Sequence, residues 1–181
     1  FTRSICKVYS IMYIEKLNLP QIPQTVITAL LEQNPDLGNY SYVCEPAYDG
    51  VALFTSRLVD VSKVNWFKEN DLHNYYWNIQ TLKDGNNLNA HRDDRRTHVI
   101  MYIIDSGGEN VKTCFYRKLL DKEYEPVKPI PKEELELVHE EVLETDKWYK
   151  LSVQDVHSVE NLQSTRLCLT RQIPDIPLDL L

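Results

Sequence analysis

With 181 residues, 43% of them hydrophobic, the chain is long enough for one well-buried core and short for two, so a single domain over residues 1–181 is expected. A net charge of −7 argues against a general binder of nucleic acid or of anionic membranes, which need clustered cations. Cys6, Cys44, Cys114 and Cys168 are scattered without a C-x-x-C pair, which excludes a zinc ribbon or a redox motif and favours reduced thiols. No signal-peptide pattern and no long apolar span occurs, so the expectation is a cytoplasmic protein without a membrane anchor.

In chain order, residues 4–16 mix Ile, Val, Tyr and Met with single polar positions and are expected to form an entry strand, closed by the break from Pro20 to Pro23. From Gln24, Val26, Ile27, Leu30 and Leu31 recur at helical spacing until Asn34-Pro35, which predicts a supporting helix of about ten residues. Tyr40 to Val59 is rich in strand formers and is interrupted by Asp49-Gly50, a hairpin signal. Val61, Val64 and Phe67 predict a short second helix, and Tyr75 to Leu82 a strong strand ending in the turn Asp84-Gly85-Asn86-Asn87.

Thr97 to Ile104 alternates as a strand, with Arg96, His98, Ile100 and Tyr102 on one face. Asp105 to Asn110, with its two glycines, predicts a hairpin into Val111–Tyr116. Residues 118–134, with Pro126, Pro129 and Pro131, read as an irregular excursion, either a lid near the site or a solvated connection. Residues 133–146 are acidic and fit neither a helical nor a strand period, so they read as a solvated face. Trp148–Val153 and Thr165–Thr170 supply the last strands, and Pro174 and Pro177 mark a tail. Seven or eight short strands with one or two early helices suit a mainly β, double-sheet jelly roll.

The chemistry concentrates in Asn89-Ala90-His91-Arg92-Asp93. A His-x-Asp pair in extended backbone sends an imidazole and a carboxylate from the same face. Asp94 leaves by the other face, and Arg92 and Arg95 read as part of a solvated turn. His157, in Asp155-Val156-His157-Ser158-Val159, completes a two-His, one-carboxylate set of the kind that holds non-haem Fe(II) with positions left open. Further on, Ser164-Thr165-Arg166-Leu167-Cys168-Leu169-Thr170 is a strand-like run carrying Arg166. An inward Arg beside a metal needs an anionic partner, because a buried unpaired guanidinium is costly, and a ligand carboxylate meets that need.

In this order the residues resemble the Fe(II)/2-oxoglutarate-dependent dioxygenases across residues 75–171. The stretch Trp148-Tyr149-Lys150-Leu151 leading into His157-Ser158-Val159-Glu160-Asn161 agrees with that resemblance. It implies a double-stranded β-helix (jelly roll, cupin-like), Fe(II) on His91, Asp93 and His157, 2-oxoglutarate with its far carboxylate on Arg166, and O2 as oxidant. Arg96-x-His98 looks like the pattern of the aspartyl/asparaginyl β-hydroxylase branch, which implies that Arg96 and His98 are secondary co-substrate contacts. That branch carries Gly where this chain has Asp93, so the resemblance is to the superfamily, with prolyl-hydroxylase-like branches equally near. The implied substrate is a protein or peptide side chain, with a small molecule as the alternative. Two other classes compete: a cupin-like metal enzyme that uses no 2-oxoglutarate and does not need Arg166, and a non-catalytic jelly-roll binding module, against which the intact triad counts. Oligomeric state is not encoded in any pattern found.

Overall fold

Strand side chains alternate between two faces, so a chain of half-apolar strands buries itself by laying one sheet on another. The computed structural model does this with two antiparallel sheets, and it describes residues 12–33, 54–73, 77–83, 87–94, 96–126 and 128–174. In chain order the elements are β1 (Ile14–Leu17), α1 (Gln24–Leu31), β2 (Phe54–Val59), α2 (Asn65–Glu69), β3 (Trp77–Leu82), β4 (Leu88–His91), β5 (Arg96–Asp105), β6 (Lys112–Lys118), β7 (Leu135–Val142), β8 (Trp148–Ser152), β9 (Val156–Glu160) and β10 (Arg166–Pro174). Six strands form one sheet in the order β1-β8-β5-β10-β3-β2, and four form the other as β4-β9-β6-β7. The fold is the expected mainly β jelly roll, with ten strands among the described residues where seven or eight were expected.

Between the sheets lie Val99, Ile103, Phe115, Leu143, Tyr149, Leu151, Val153 and Cys168, with Leu82, Val111, Val159 and Leu162 at one end. The outer face of the larger sheet is covered by the two helices, whose Ile27, Leu30 and Phe67 pack with Trp77, Tyr102, Trp148 and Leu169. The buried indoles keep their N–H groups satisfied: Trp77 donates to Leu72 O at 2.9 Å and Trp148 to Pro20 O at 2.8 Å. Cys114 and Cys168 are buried and free, as expected of small hydrophobes.

Three expectations change. First, Gly107-Gly108 does not close a hairpin, because β5 and β6 belong to different sheets and the glycines carry the chain from one to the other. A turn between apolar strands has the same composition whether it closes a hairpin or arches across a sandwich, so composition could not separate the two. Second, the acidic segment, whose charges are solvated as expected, contains the edge strand β7, although it fitted neither period. Its pairing with β6 sets Phe115 opposite His139 and Tyr116 opposite Leu137, so Val138 is an extra residue whose bulge breaks the alternation. Third, the described residues between 119 and 134 are exposed for most of their length, as a solvated connection is, but two of them are buried anchors. They strap the outer face of the smaller sheet, where Tyr124 and Ile130 are buried against Ala90, Leu135 and Val156.

Of the entry strand expected over residues 4–16, residues 4–11 lie outside the described residues and the described part includes β1 at Ile14–Leu17; α1 has eight residues. The Asp49-Gly50 hairpin, the turn at residues 84–86, Arg95 and the tail at Pro177 lie outside the described residues.

Candidate metal centre

His91 ends β4 and His157 lies second in β9, directly opposite it in the antiparallel ladder. Opposed residues on one face bring their side chains together, and here the ring centroids are 4.5 Å apart. Phe115, the partner of His157 on the other side in β6, packs against it with centroids 6.0 Å apart. Each ring is held by its own backbone. His91 Nδ1 is 2.8 Å from Asn89 O, and His157 Nδ1 is 2.9 Å from Asp155 O. A ring nitrogen that donates its proton to a carbonyl leaves the other with a free lone pair, so both Nε2 atoms are available as ligands.

Asp93 reaches the same point by a route other than the one expected. The strand stops at His91, and Asp93 sits in the coil beyond it, pinned by its N–H donating to Val153 O of the opposite wall at 2.9 Å. Its Oδ1 is 3.4 Å from His91 Nε2, and the carboxylate side chain is 10% exposed. The ligating atoms of His91, Asp93 and His157 all lie within 4.8 Å of one another. Burial pushes the His157 imidazole down to about 4, aided by the neighbouring His91, so it is neutral at pH 7. Burial works to raise the Asp93 carboxyl, and the neighbouring His91, His157 and Arg96 together outweigh it, holding the group below its ordinary value. Two imidazoles and one carboxylate whose ligating atoms converge in this way could hold a metal ion.

The triad opens on a cavity of about 90 Å³ walled mostly by apolar side chains, among them Leu82, Val99, Leu151 and Val159. Arg166 enters it from the start of β10. It is 4% exposed, and its guanidinium meets Thr113 Oγ1 at 3.5 Å and Met101 Sδ at 3.8 Å. Among the described residues no carboxylate lies within ion-pair distance of it. Thr113, 1% exposed, was missed in the sequence; the signal was a lone hydroxyl residue on the inward side of the Val111–Tyr116 run.

Arg96 and His98 part company. Arg96 lines the cavity and its Nη2 pairs with Asp93 Oδ2 at 3.0 Å. The ladder to β10 sets Ile173 opposite His98 and Pro174 opposite Arg96, so Thr97 is an extra residue. Its carbonyl accepts from both Val153 N and Gln154 N. That bulge breaks the alternation expected from the sequence: Arg96 joins the inward Val99 and Met101, while His98 keeps the outward face of Ile100 and Tyr102. Arg92, beside the site, holds the strap, donating from Nη2 to Tyr124 O at 3.0 Å. Asp94 is exposed.

Fold and donor set together define a jelly-roll protein with a candidate metal centre. No protein-family model and no curated protein matches the chain. Solved structures with similar folds include vicilin from Solanum melongena (9% identity, 80% of this chain and 31% of that one, TM-score 0.41). A variant of Bacillus subtilis oxalate decarboxylase is another (13%, 82% and 29%, TM-score 0.39), as is the ribosomal oxygenase YcfD of Escherichia coli (14%, 75% and 37%, TM-score 0.41). The chain spans about a third of the length of these structures, and at such identities no role passes from them to it. No helix among the described residues is long and apolar enough to cross a membrane.

Proposed function

We propose that the protein is an Fe(II)- and 2-oxoglutarate-dependent oxygenase that hydroxylates a C–H bond. The observation that carries the reading is Arg166, a buried guanidinium with no carboxylate partner among the described residues, aimed into the cavity that also holds His91, Asp93 and His157. A planar fork at the end of an apolar cavity suits one carboxylate of a dicarboxylic acid whose other end reaches the metal. With Fe(II), 2-oxoglutarate and O2 bound, the centre supplies the oxidising power for hydroxylation.

The chain's own residues then have distinct tasks. His91, Asp93 and His157 hold the metal on one side and leave the cavity side open. Arg166 and the Thr113 hydroxyl receive the far carboxylate. Leu82, Val99, Leu151 and Val159 keep water away from the reacting centre. The substrate proposed is a protein or peptide side chain. Support for it comes from the β-hydroxylase-like Arg96 alone, since His98 faces away. The buried thiols Cys114 and Cys168 support a reducing, cytoplasmic location.

The test is an anaerobic titration of metal-free protein with Fe(II) and then 2-oxoglutarate, followed through the visible metal-to-ligand charge-transfer band. The band is expected in the native chain, absent in His157→Ala and weakened in Arg166→Ala. Fe(II) binding without a band would shift the assignment to a cupin-like metal enzyme that uses no 2-oxoglutarate. Failure to bind metal would leave a jelly-roll binding module.

A further inference from the structure

Asp93 divides its two carboxylate oxygens. Oδ1 faces His91 Nε2 at 3.4 Å, on the side where the three ligating atoms converge, and Oδ2 is held by Arg96 Nη2 at 3.0 Å. The arrangement is built from both directions. The Asp93 backbone is fixed by its bond to Val153 O, and the same Val153 donates its N–H to Thr97 O, the bulge carbonyl that turns Arg96 inward. Without that bulge, alternation would send Arg96 outward with His98.

We infer that Arg96 is a positioning residue that restricts Asp93 to one metal-facing oxygen and cancels its charge, so that the site holds a divalent ion weakly until an anionic co-ligand joins it. The inference rests on the metal-centre reading. The charge count carries it. With His157 and His91 as neutral ligands, Asp93 is the only anion at the centre among the described residues, and Arg96 offsets it. A bound dication therefore keeps both positive charges, and Arg166 adds another at the far end of the cavity. Such a field disfavours the metal alone and favours the metal together with an anion. By linkage, the anion and the metal must then tighten each other's binding.

The experiment is a titration of the full chain with Co2+ alone, read by calorimetry and by the visible d–d spectrum, for native protein, Arg96→Gln and Arg96→Lys. Thermal melts establish that each variant is folded. Arg96→Gln is expected to bind Co2+ about tenfold more tightly, the effect of removing one unit charge a few ångströms from a dication even under water-like screening. Its Co2+ spectrum is expected to differ from native, because the freed Oδ2 can also reach the ion. Arg96→Lys keeps the charge and is expected to retain an affinity within about threefold of native, since a point charge replaces a fork.

Weaker Co2+ binding in Arg96→Gln, or native affinity with a native spectrum, would overturn the inference and leave the metal centre standing. Tightening of equal size in Arg96→Lys would also overturn it, because the charge would then be irrelevant. Absence of Co2+ binding by the native chain would overturn the metal reading itself, and this inference with it.

Discussion

His91 and His157 face each other across the β4–β9 ladder, and each commits its Nδ1 to the carbonyl two residues before it in its own chain segment. Because backbone atoms orient both rings, the Nε2 pair is preset before any ion arrives. Replacing His157 by Ala is therefore expected to weaken Co2+ binding by more than about 100-fold, beyond the 10- to 100-fold typical of losing a group behind a ligand. Calorimetry on the folded variant checks this. Native-like affinity would remove His157 from the ligand set.

Arg166 makes the opposite prediction for stability. A buried charge whose described contacts are a hydroxyl, a thioether and the Cys168 thiol is a cost to the folded chain when no anion is present. Arg166→Met, which keeps the stem's apolar bulk, is expected to stabilise the ligand-free protein by ~1–3 kcal/mol. If the proposed function holds, 2-oxoglutarate is expected to raise the melting temperature of the metal-loaded native chain, and this variant is expected to lose that rise. A ligand-free melt lowered by several degrees would show that Arg166 has a structural partner instead.

On the outer face of the smaller sheet, Glu160 accepts hydrogen bonds from Lys132 Nζ at 2.8 Å, from Ser158 Oγ at 3.1 Å and from the Tyr116 hydroxyl. Burial works to raise this carboxyl, and the hydrogen bonds from Lys132, Tyr116 and Ser158 outweigh it, leaving it below the ordinary carboxylate value. A depressed folded-state pKa contributes stability that is present above the unfolded value and is lost as pH falls through the folded one. Glu160→Gln is expected to cost ~1 kcal/mol at pH 7, with the difference from native vanishing in acid. Urea melts at pH 7 and across the acid limb check the sign; a difference that grows in acid would contradict it.

The strap offers a further test, since Tyr124 is buried beneath Lys118 and Lys122, donates from its hydroxyl to Glu134 at 2.6 Å and accepts from Arg92 through its carbonyl. Ile130 N bonds to Ala90 O at 2.8 Å, one residue before His91. Tyr124→Ala is expected to cost ~3 kcal/mol, within the range for deleting a buried aromatic, and to speed hydrogen exchange in β4. Unchanged exchange at Ala90 and His91 would show that the strap does not brace the metal strand.

The fold class and the triad were legible because both depend on local patterns: strand alternation, early helical spacing, and a His-x-Asp pair with a later His and Arg. What escaped depends on single inserted residues and on long-range pairing. The bulge at Thr97 moves Arg96 and His98 to opposite faces, and no composition signal marks it. The bulge at Val138 hid β7 behind a broken alternation. The glycine pair announced a change of direction, and only the pairing of β6 with β7 and β9 shows that the chain changes sheets there.

That change of sheets depends on Gly107, whose φ of +83° lies in the left-handed region. A Cβ there would stand 2.5 Å from Leu162 Cδ1 and 3.0 Å from Ser164 O. Gly107 O also accepts from Gln163 N and Ser164 N, which fixes the segment that delivers Arg166 to β10. Gly107→Ala is thus expected to cost ~1–3 kcal/mol from backbone strain together with the displaced neighbours. Since the clash falls on the lead-in to Arg166, 2-oxoglutarate binding to the metal-loaded variant is expected to weaken while Co2+ binding on the remote histidine pair stays near native. Equal loss of both would mean that the substitution loosens the whole sandwich rather than the anion end of the cavity.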